Sequence, residues 1–287
     1  MMKTMLCTSL ALLAFASNSV LCRLALGEQA IDAASFTSVR LLSGILVLML
    51  ILGLKQSPDS VSSKGSWRSA LFLFIYAIAF SFAYISLETG VGALILFGSV
   101  QLTLILLGLA SGSRLRALEW CGLLLAFSGF VYLLLPGLSA PPLLGFCLMS
   151  LAGAAWGFYT FAGKGSKNPL MDTGYNFLRT LPLVLILMAL SFSQFSWTQE
   201  GILLAIISGG ITSGLGYTIW YIALGGLSAI QAAVVQLLVP VIAALGGVIF
   251  AGEELSGRLV IAALMILGGT LVVILAKHAL TSIWRRG

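Results

Sequence analysis

Residues 35–52, SFTSVRLLSGILVLMLIL, and residues 174–191, GYNFLRTLPLVLILMALS, carry the decisive reading of this chain. Each is an apolar stretch close to the ~20 residues that a helix needs to cross the hydrocarbon of a bilayer. Each opens on a short polar segment with one arginine, Arg40 in the first and Arg179 at the matching place in the second, 139 positions on. Two further pairs keep nearly the same separation. Tyr84-Ile-Ser-Leu87 resembles Tyr221-Ile-Ala-Leu224 at 137, and residues 121–135 resemble 261–275 at 140, with Gly129 falling on Gly269. Short apolar matches arise easily by chance. A nearly constant offset of about half of the 287 residues makes them a repeat.

Outward from these two stretches the chain divides into ten apolar runs of spanning length. They are Met5–Leu26, Ala34–Leu54, Ser69–Leu87, Val91–Ser111, Leu118–Leu135, Pro142–Gly163, Gly174–Phe195, Gly201–Leu224, Ser228–Ala251 and Arg258–Ala276. Backbone groups in lipid must be satisfied within the segment, so each run is expected to be a helix. The longest connection is the Ser/Lys/Gly-rich stretch Lys55–Arg68, and no connection has room for a soluble domain of useful size. The repeat gives five helices to residues 1–138 and five to 139–287. An odd number per repeat inserts the halves with opposite orientation, as in many secondary transporters. The expected fold is an all-α integral membrane protein, one membrane domain of ten transmembrane helices built as two inverted five-helix repeats.

Composition agrees. Sixty per cent of residues are hydrophobic, 8% are charged and the mean hydropathy is +1.10. A water-soluble domain with that balance would expose large apolar patches. The net charge of +6 does not point to nucleic acid, because the basic residues are scattered in short loops. With the N-terminus in the cytoplasm, the inside segments hold Lys3, Lys55, Lys64, Arg68, Arg114, Arg116, Lys164, Lys167, Lys277, Arg285 and Arg286, and the outside loops only Arg258. Eleven to one places both termini on the cytoplasmic side of the membrane, and with that implies an even number of spans. Lys3 with the apolar stretch after it resembles a signal peptide, and Leu21-Cys22 a lipoprotein cleavage site. Asn18, Arg23 and the repeat instead argue for a retained helix. Cys7, Cys22, Cys121 and Cys147 all lie in apolar runs without partners at ligand spacing, so they read as small core residues, with neither disulfide nor metal.

Several stretches resemble one family. Gln236-Leu-Leu-Val-Pro240-Val-Ile-Ala-Ala-Leu, then Gly252-Glu253-Glu254 and Gly268-Gly269, resemble the last two helices of the drug/metabolite transporter superfamily in its EamA-type branch. Ala155-Trp156-Gly157-Phe158-Tyr159 resembles the opening helix of that family's second repeat, and Ser17-Asn18-Ser19 with Arg23 that of its first. In detail the chain is most similar to the bacterial YddG-type exporters of aromatic and other amino acids. That resemblance implies ten helices, a central cavity and export from the cytoplasm. The first repeat has Leu102-Thr103-Leu104 where the second has Pro240, which implies that the halves flex differently.

The candidate substrate-binding residues are Asn18, Tyr76, Phe80, Gln101, Trp156, Tyr159, Tyr217 and Gln236. Tyr76, Phe80 and Tyr84 are spaced by four and share a helix face. Trp156 and Tyr159 lie deep in the sixth run, while Tyr217, Trp220 and Tyr221 belong to the eighth. Aromatic faces suit stacking on an apolar side chain and cation–π attraction of an α-ammonium, with ordinary packing as the alternative. Tyr84 and Tyr221 suit an interfacial belt. Asn18, Gln101 and Gln236 are polar at membrane depth, so they either bind the substrate's amino and carboxyl groups or bond between helices. Arg40 and Arg179 either snorkel to the interface or cap a carbonyl, or they meet a carboxylate in transit. Gly209, Gly210, Ser213 and Gly214 give the eighth run a small-residue face for close helix approach.

No paired-histidine zinc helix, nucleophile elbow, phosphate loop or dinucleotide fingerprint is present, so neither an enzyme nor a cofactor is expected. The expected function is a secondary transporter exporting amino acids, aromatic and other apolar ones favoured. Alternatives are an exporter of another metabolite or drug, and a membrane scaffold or receptor. The partners are then the amino-acid substrate and the lipid bilayer, without nucleic acid, and a monomer is one arrangement open to the protein. Glu28, Asp32, Asp59, Glu88, Glu119, Asp172, Glu200, Glu253 and Glu254 all fall in loops or at span ends, and the one histidine is His278. Proton coupling usually needs an ionisable relay at membrane depth, so transport down the solute gradient is expected.

Overall fold

The computed structural model describes residues 2–54, 64–112, 115–135, 137, 140–163, 166–227 and 229–284, the side chains of 221, 229–231, 233 and 277–284 excepted. Lys55, Asp59, Arg114, Lys164, Arg285 and Arg286, and the side chains of Tyr221, Lys277 and His278, therefore lie outside the described residues. Among the described residues ten helices are long and apolar enough to cross a membrane. They are α1 (Met2–Gly27), α2 (Ala33–Leu54), α3 (Trp67–Tyr84), α4 (Thr89–Ala110), α5 (Ala117–Leu134), α6 (Leu143–Ala162), α7 (Pro169–Gln194), α8 (Gln199–Leu224), α9 (Val234–Ala251) and α10 (Gly257–Ala276).

Each apolar run expected from the sequence overlaps one helix, and the ends are set by polar residues just outside. Asp32 caps α2, its Oδ1 accepting from the Ala34 and Ser35 amides at 3.0 and 2.9 Å. Ser66 caps α3, Asn168 caps α7 and Thr198 caps α8, each side-chain oxygen taking an otherwise orphaned amide of the first turn. The Asn168 cap with Pro169 in the first turn starts α7 five residues before the expected Gly174.

Three of these helices are irregular: α7 is interrupted at Thr180, between Pro169–Arg179 and Leu181–Ser191, and ends in a 3-10 turn, Phe192–Gln194. α8 holds a π-helical stretch, Ile207–Leu215, between α-helical segments Gln199–Ile206 and Gly216–Leu224. The α9 region is broken between Ala229–Gln236 and Val239–Ala251. Pro240 explains the break: it has no amide hydrogen, and its ring opposes the carbonyl four residues back, which belongs to Gln236. The Leu237 and Leu238 amides shorten instead to the carbonyls of Val234 and Val235, both at 3.1 Å. In the first half α4 runs unbroken through Leu102-Thr103-Leu104. α9 ends at Gly252, whose φ of 63° suits a residue without a β carbon.

α1 packs on α8 and α9, and α6 packs on α3 and α4. α5 pairs with α10, α2 with α8, and α4 with α9. Gly122 and Gly269 let α5 and α10 touch, since a β carbon on either would sit 2.6 or 2.5 Å from the other's carbonyl oxygen. The core gathers Phe36 and Leu48 of α2, Leu73, Phe80 and Tyr84 of α3, and Leu94 and Ile95 of α4. Outward faces carry exposed Leu46, Leu50, Phe127, Leu190, Ile249 and Leu264, the inverse of a water-facing surface.

Three expectations need correction. Tyr84 is not in an interfacial belt: it is fully buried and donates to the Thr89 carbonyl at 3.3 Å. Cys121 and Cys147 are exposed rather than in the core, whereas Cys22 is buried. Arg40 does not snorkel, being only 2% exposed. Arg179 donates to the Lys64 carbonyl, with its guanidinium 5.8 Å from the centre of the Trp67 ring.

Candidate functional site

A cavity of about 920 Å3 is lined by residues of α1, α3, α4, α6, α7, α8 and the α9 region. Its deep part is lined by Asn18 and Ser19 of α1, Tyr76 and Phe80 of α3, Leu96 and Phe97 of α4, and Thr212 and Ser213 of α8. From there the lining runs to Ser111 after α4, Gly163 and Ser166 between α6 and α7, and Gly225 after α8. All these turns lie at the end of the bundle that carries the N-terminus of α1, so the cavity reaches that end.

Trp156 is the hub of its wall. Its ring centroid lies 5.2 Å from Tyr159 and 5.2 Å from Tyr217, both stacked, and 4.8 Å from Tyr76 in a tilted pair. Phe15 extends the cluster, 5.8 Å from both Tyr217 and Trp220, while Phe80 sits 5.4 Å from Tyr76. Rings at these separations attract through offset and edge contacts, and their faces present negative potential to a guest.

Polar groups punctuate the wall. Asn18 is buried, its Oδ1 accepting from Ser208 Oγ at 2.7 Å and Thr212 Oγ1 at 3.2 Å. The π-helical stretch thus aims two successive hydroxyl turns at one amide of α1. Gln236 lines the cavity at the break in α9, where Pro240 leaves its carbonyl without the usual helical partner. Near the mouth Asp172 accepts from the Gly65 amide at 2.9 Å and from Ser166 Oγ, while Asn176 Oδ1 accepts from the Ser66 amide at 2.8 Å. Among the described residues no group of three or more His, Cys, Asp or Glu side chains is placed to hold a metal ion.

Asn18, Tyr76, Phe80, Trp156, Tyr159, Tyr217 and Gln236 all line this cavity. Gln101 is buried outside its lining. Phe15, Ser19, Asn176 and Trp220 also line it without being candidates. Trp220 is four residues beyond Gly216 and three beyond Tyr217, so helical spacing could have found it; nothing in its apolar run distinguishes Phe15.

The far end is closed. Arg23 Nε of α1 meets Glu253 Oε1 at 3.1 Å, and the Glu253 carboxylate accepts from the Thr89 amide at 2.9 and 2.8 Å. That amide is at the N-terminus of α4, where the helix dipole favours a carboxylate. Glu88 is exposed beside it, its carboxyl pushed above the usual range by partial burial and by the Glu253 charge. The α1–α2 turn also pairs with the α7–α8 turn: Ile31 bridges Trp197, the Asp32 amide donates to the Ser196 carbonyl at 2.9 Å, and the Thr198 amide donates to the Ala30 carbonyl at 2.8 Å. Charge-assisted bonds of this kind contribute about 1.5–3 kcal/mol each. Glu253→Gln should therefore loosen the closed end. The reporter is Cys22, fully buried beside Arg23, with the other three cysteines changed to serine. Its labelling by a water-soluble maleimide should rise severalfold in the variant; unchanged labelling would show that the ion pair is not part of the seal.

Residues 143–275 match the EamA-like transporter family. An uncharacterized protein of Pseudomonas aeruginosa is 51% identical over 272 residues, 95% of this chain and 94% of its own length. A protein of known crystal structure aligns over 93% of this chain and 98% of its own at 20% identity, with a TM-score of 0.63, so the two share a fold.

Proposed function

The chain belongs to the EamA-like transporter family, and from that premise we propose that it exports amino acids, aromatic and other apolar ones foremost, across a bacterial inner membrane by alternating access. The family is one of transporters rather than enzymes. The observation that carries the amino-acid reading is the Trp156-centred aromatic wall of a cavity interrupted by amides and hydroxyls. Its volume of about 920 Å3 is within the range of small-molecule sites, about 300–1,000 Å3. Such a wall stacks an apolar side chain, while the amides of Asn18 and Gln236 offer hydrogen bonds to its amino and carboxyl groups. The likeness to YddG-type exporters supports the same cargo.

The halves are two inverted five-helix repeats, residues 1–138 and 139–287. The packing supports this: α1 meets α8 and α9 as its counterpart α6 meets α3 and α4, and the counterparts α5 and α10 meet each other. The basic-residue bias puts the cavity mouth in the cytoplasm. The closed end with Arg23 and Glu253 is then periplasmic, and the arrangement faces inward. Rocking of the halves would close the mouth near Asp172 and open the Arg23–Glu253 end. Transport runs down the solute gradient by facilitated diffusion or exchange.

The test is counterflow and net flux of labelled amino acids and cationic drugs in liposomes holding the purified protein. Aromatic and apolar amino acids should exchange, with no drive from an imposed pH gradient alone. Exchange of drugs but not amino acids would replace the cargo. Concentrative uptake driven by a pH gradient and abolished by Glu88→Gln would replace the uncoupled mechanism.

A further inference from the structure

Arg40 holds a guanidinium deep in the bundle with no carboxylate on it. It lies seven residues into α2, about 10 Å from the nearer helix end at a rise of about 1.5 Å per residue. The side chain is 2% exposed. Its Nη2 donates to the Tyr76 hydroxyl at 3.0 Å, and its central carbon lies 4.8 Å from the Phe80 ring centre and 5.3 Å from that of Tyr76. Its Nη1 is buried with no hydrogen-bond partner. Among the described residues no carboxylate forms an ion pair with Arg40, so its charge is not neutralised by the protein. A buried charge without an opposite charge is costly, and a methionine or leucine would fill the same volume without that cost. An ionisable residue retained at this depth calls for a ligand that completes it.

The ligand has a route. Tyr76 and Phe80 form the deep wall of the cavity, and Arg40 stands behind both. The Tyr76 hydroxyl spends its oxygen on Arg40 and keeps its proton to donate. The cavity therefore meets an O–H donor backed by a fixed positive charge. Nη1, buried without a partner behind the ring wall, leaves the positive charge uncompensated next to that donor, and a charge-backed donor favours an anionic acceptor such as a carboxylate.

We propose that Arg40 and Tyr76 form a carboxylate subsite, so that the cargo must carry a carboxylate to be transported. This rests on the transporter reading above and narrows it. The carboxylate sits against Tyr76, the rest of the molecule lies along Trp156, Tyr159 and Tyr217, and amines without an acid group are refused.

The experiment measures counterflow in liposomes with four probes: phenylalanine, phenylalaninamide, 3-phenylpropionate and phenethylamine. Wild-type protein should prefer phenylalanine to its amide at least about tenfold, the size of a charge-assisted hydrogen bond. Arg40→Lys should keep that preference, Tyr76→Phe should reduce it and Arg40→Gln should erase it. Loss of a mere packing strut would slow all four probes alike. Unchanged acid preference in Arg40→Gln overturns the subsite, as does a wild-type protein that carries the amide or the amine as well as the acid; either result leaves the transporter reading standing. If Arg40→Gln does not fold, the wild-type panel and Tyr76→Phe decide in the same way. Carriage of 3-phenylpropionate but no amino acid would end the amino-acid reading and support the subsite, and carriage of phenethylamine alone would end both.

Discussion

Trp156→Ala is expected to lower transport roughly hundredfold at matched expression while the protein still inserts and folds. Three ring contacts converge on this one side chain, from Tyr76, Tyr159 and Tyr217, at 4.8–5.2 Å. Each such pair contributes about 0.5–1.5 kcal/mol beyond burial. Losing the hub removes the stacking face for cargo and lets its three neighbours turn. A hundredfold loss corresponds to about 2.7 kcal/mol of cargo stabilisation, in the range of two stacked contacts. Folding is less affected because Trp156 is only partly buried, lining the cavity at the edge of the core it packs against. The matched control is Trp197→Ala in the α7–α8 turn, where the side chain is 61% exposed and outside the cavity lining. Transport should then stay within about twofold of wild type, as expected for an exposed site with small energetic effect. Equal transport by both variants would make the aromatic wall packing only.

Gly209→Ala is expected to cost about 3 kcal/mol of stability. A β carbon at Gly209 would run into the backbone carbonyl of Arg40 and the Ser43 hydroxyl. The carbonyl cannot rotate away as a side chain can, so α2 and α8 must separate, and overpacking of this kind typically costs about 1–3 kcal/mol. Separation would also draw Arg40 back from Tyr76 and Phe80. Gly268→Ala is the control, because nothing lies within 4 Å of where its β carbon would be. There the gain in helix propensity, up to about 1 kcal/mol, should appear alone. Thermal unfolding in detergent should place Gly209→Ala about 6–12 °C below wild type, scaled from about 2–4 °C per kcal/mol. A melting temperature equal to that of Gly268→Ala would show that the two helices are not locked at this contact.

The ten spans were legible in the sequence because lipid imposes a severe rule on it. Backbone groups cannot be left open in hydrocarbon, so a span must be long, apolar and helical, and the signal accumulates over some 20 residues. The same averaging made helix ends less legible. The start of α7 at Pro169 depends on one side chain, Asn168, that a window over apolar residues ignores. Pro240 was visible, yet Ser228–Ala251 read as one continuous apolar run, and the break before Pro240 emerged only in the structure. The π-helical stretch of α8 was not visible, since Gly209, Gly210 and Ser213 suit close packing in any helical winding.

Within the candidate site, spacing along one helix was readable and partnership between helices was not. Tyr76 and Phe80 share a face by arithmetic on four, and Trp156 stands out by size and depth. Nothing in a linear chain says that Arg40 meets Tyr76, 36 residues on, or that Asn18 meets Ser208, 190 residues on. Gln101 and Gln236 look alike by chemistry and by depth in their runs, yet only Gln236 lines the cavity, because the turn of helix on which each sits is set by its neighbours. By itself the sequence determined what the bilayer demands of any chain: ten helices, their apolar faces and the bias of their basic loops. The tertiary structure decided which end of the cavity is closed, which aromatic rings stack, and that Arg40 is buried rather than drawn to the interface. The physical reason is that membrane insertion acts on residues one segment at a time, whereas packing, ion pairing and burial depend on atoms far apart in the chain.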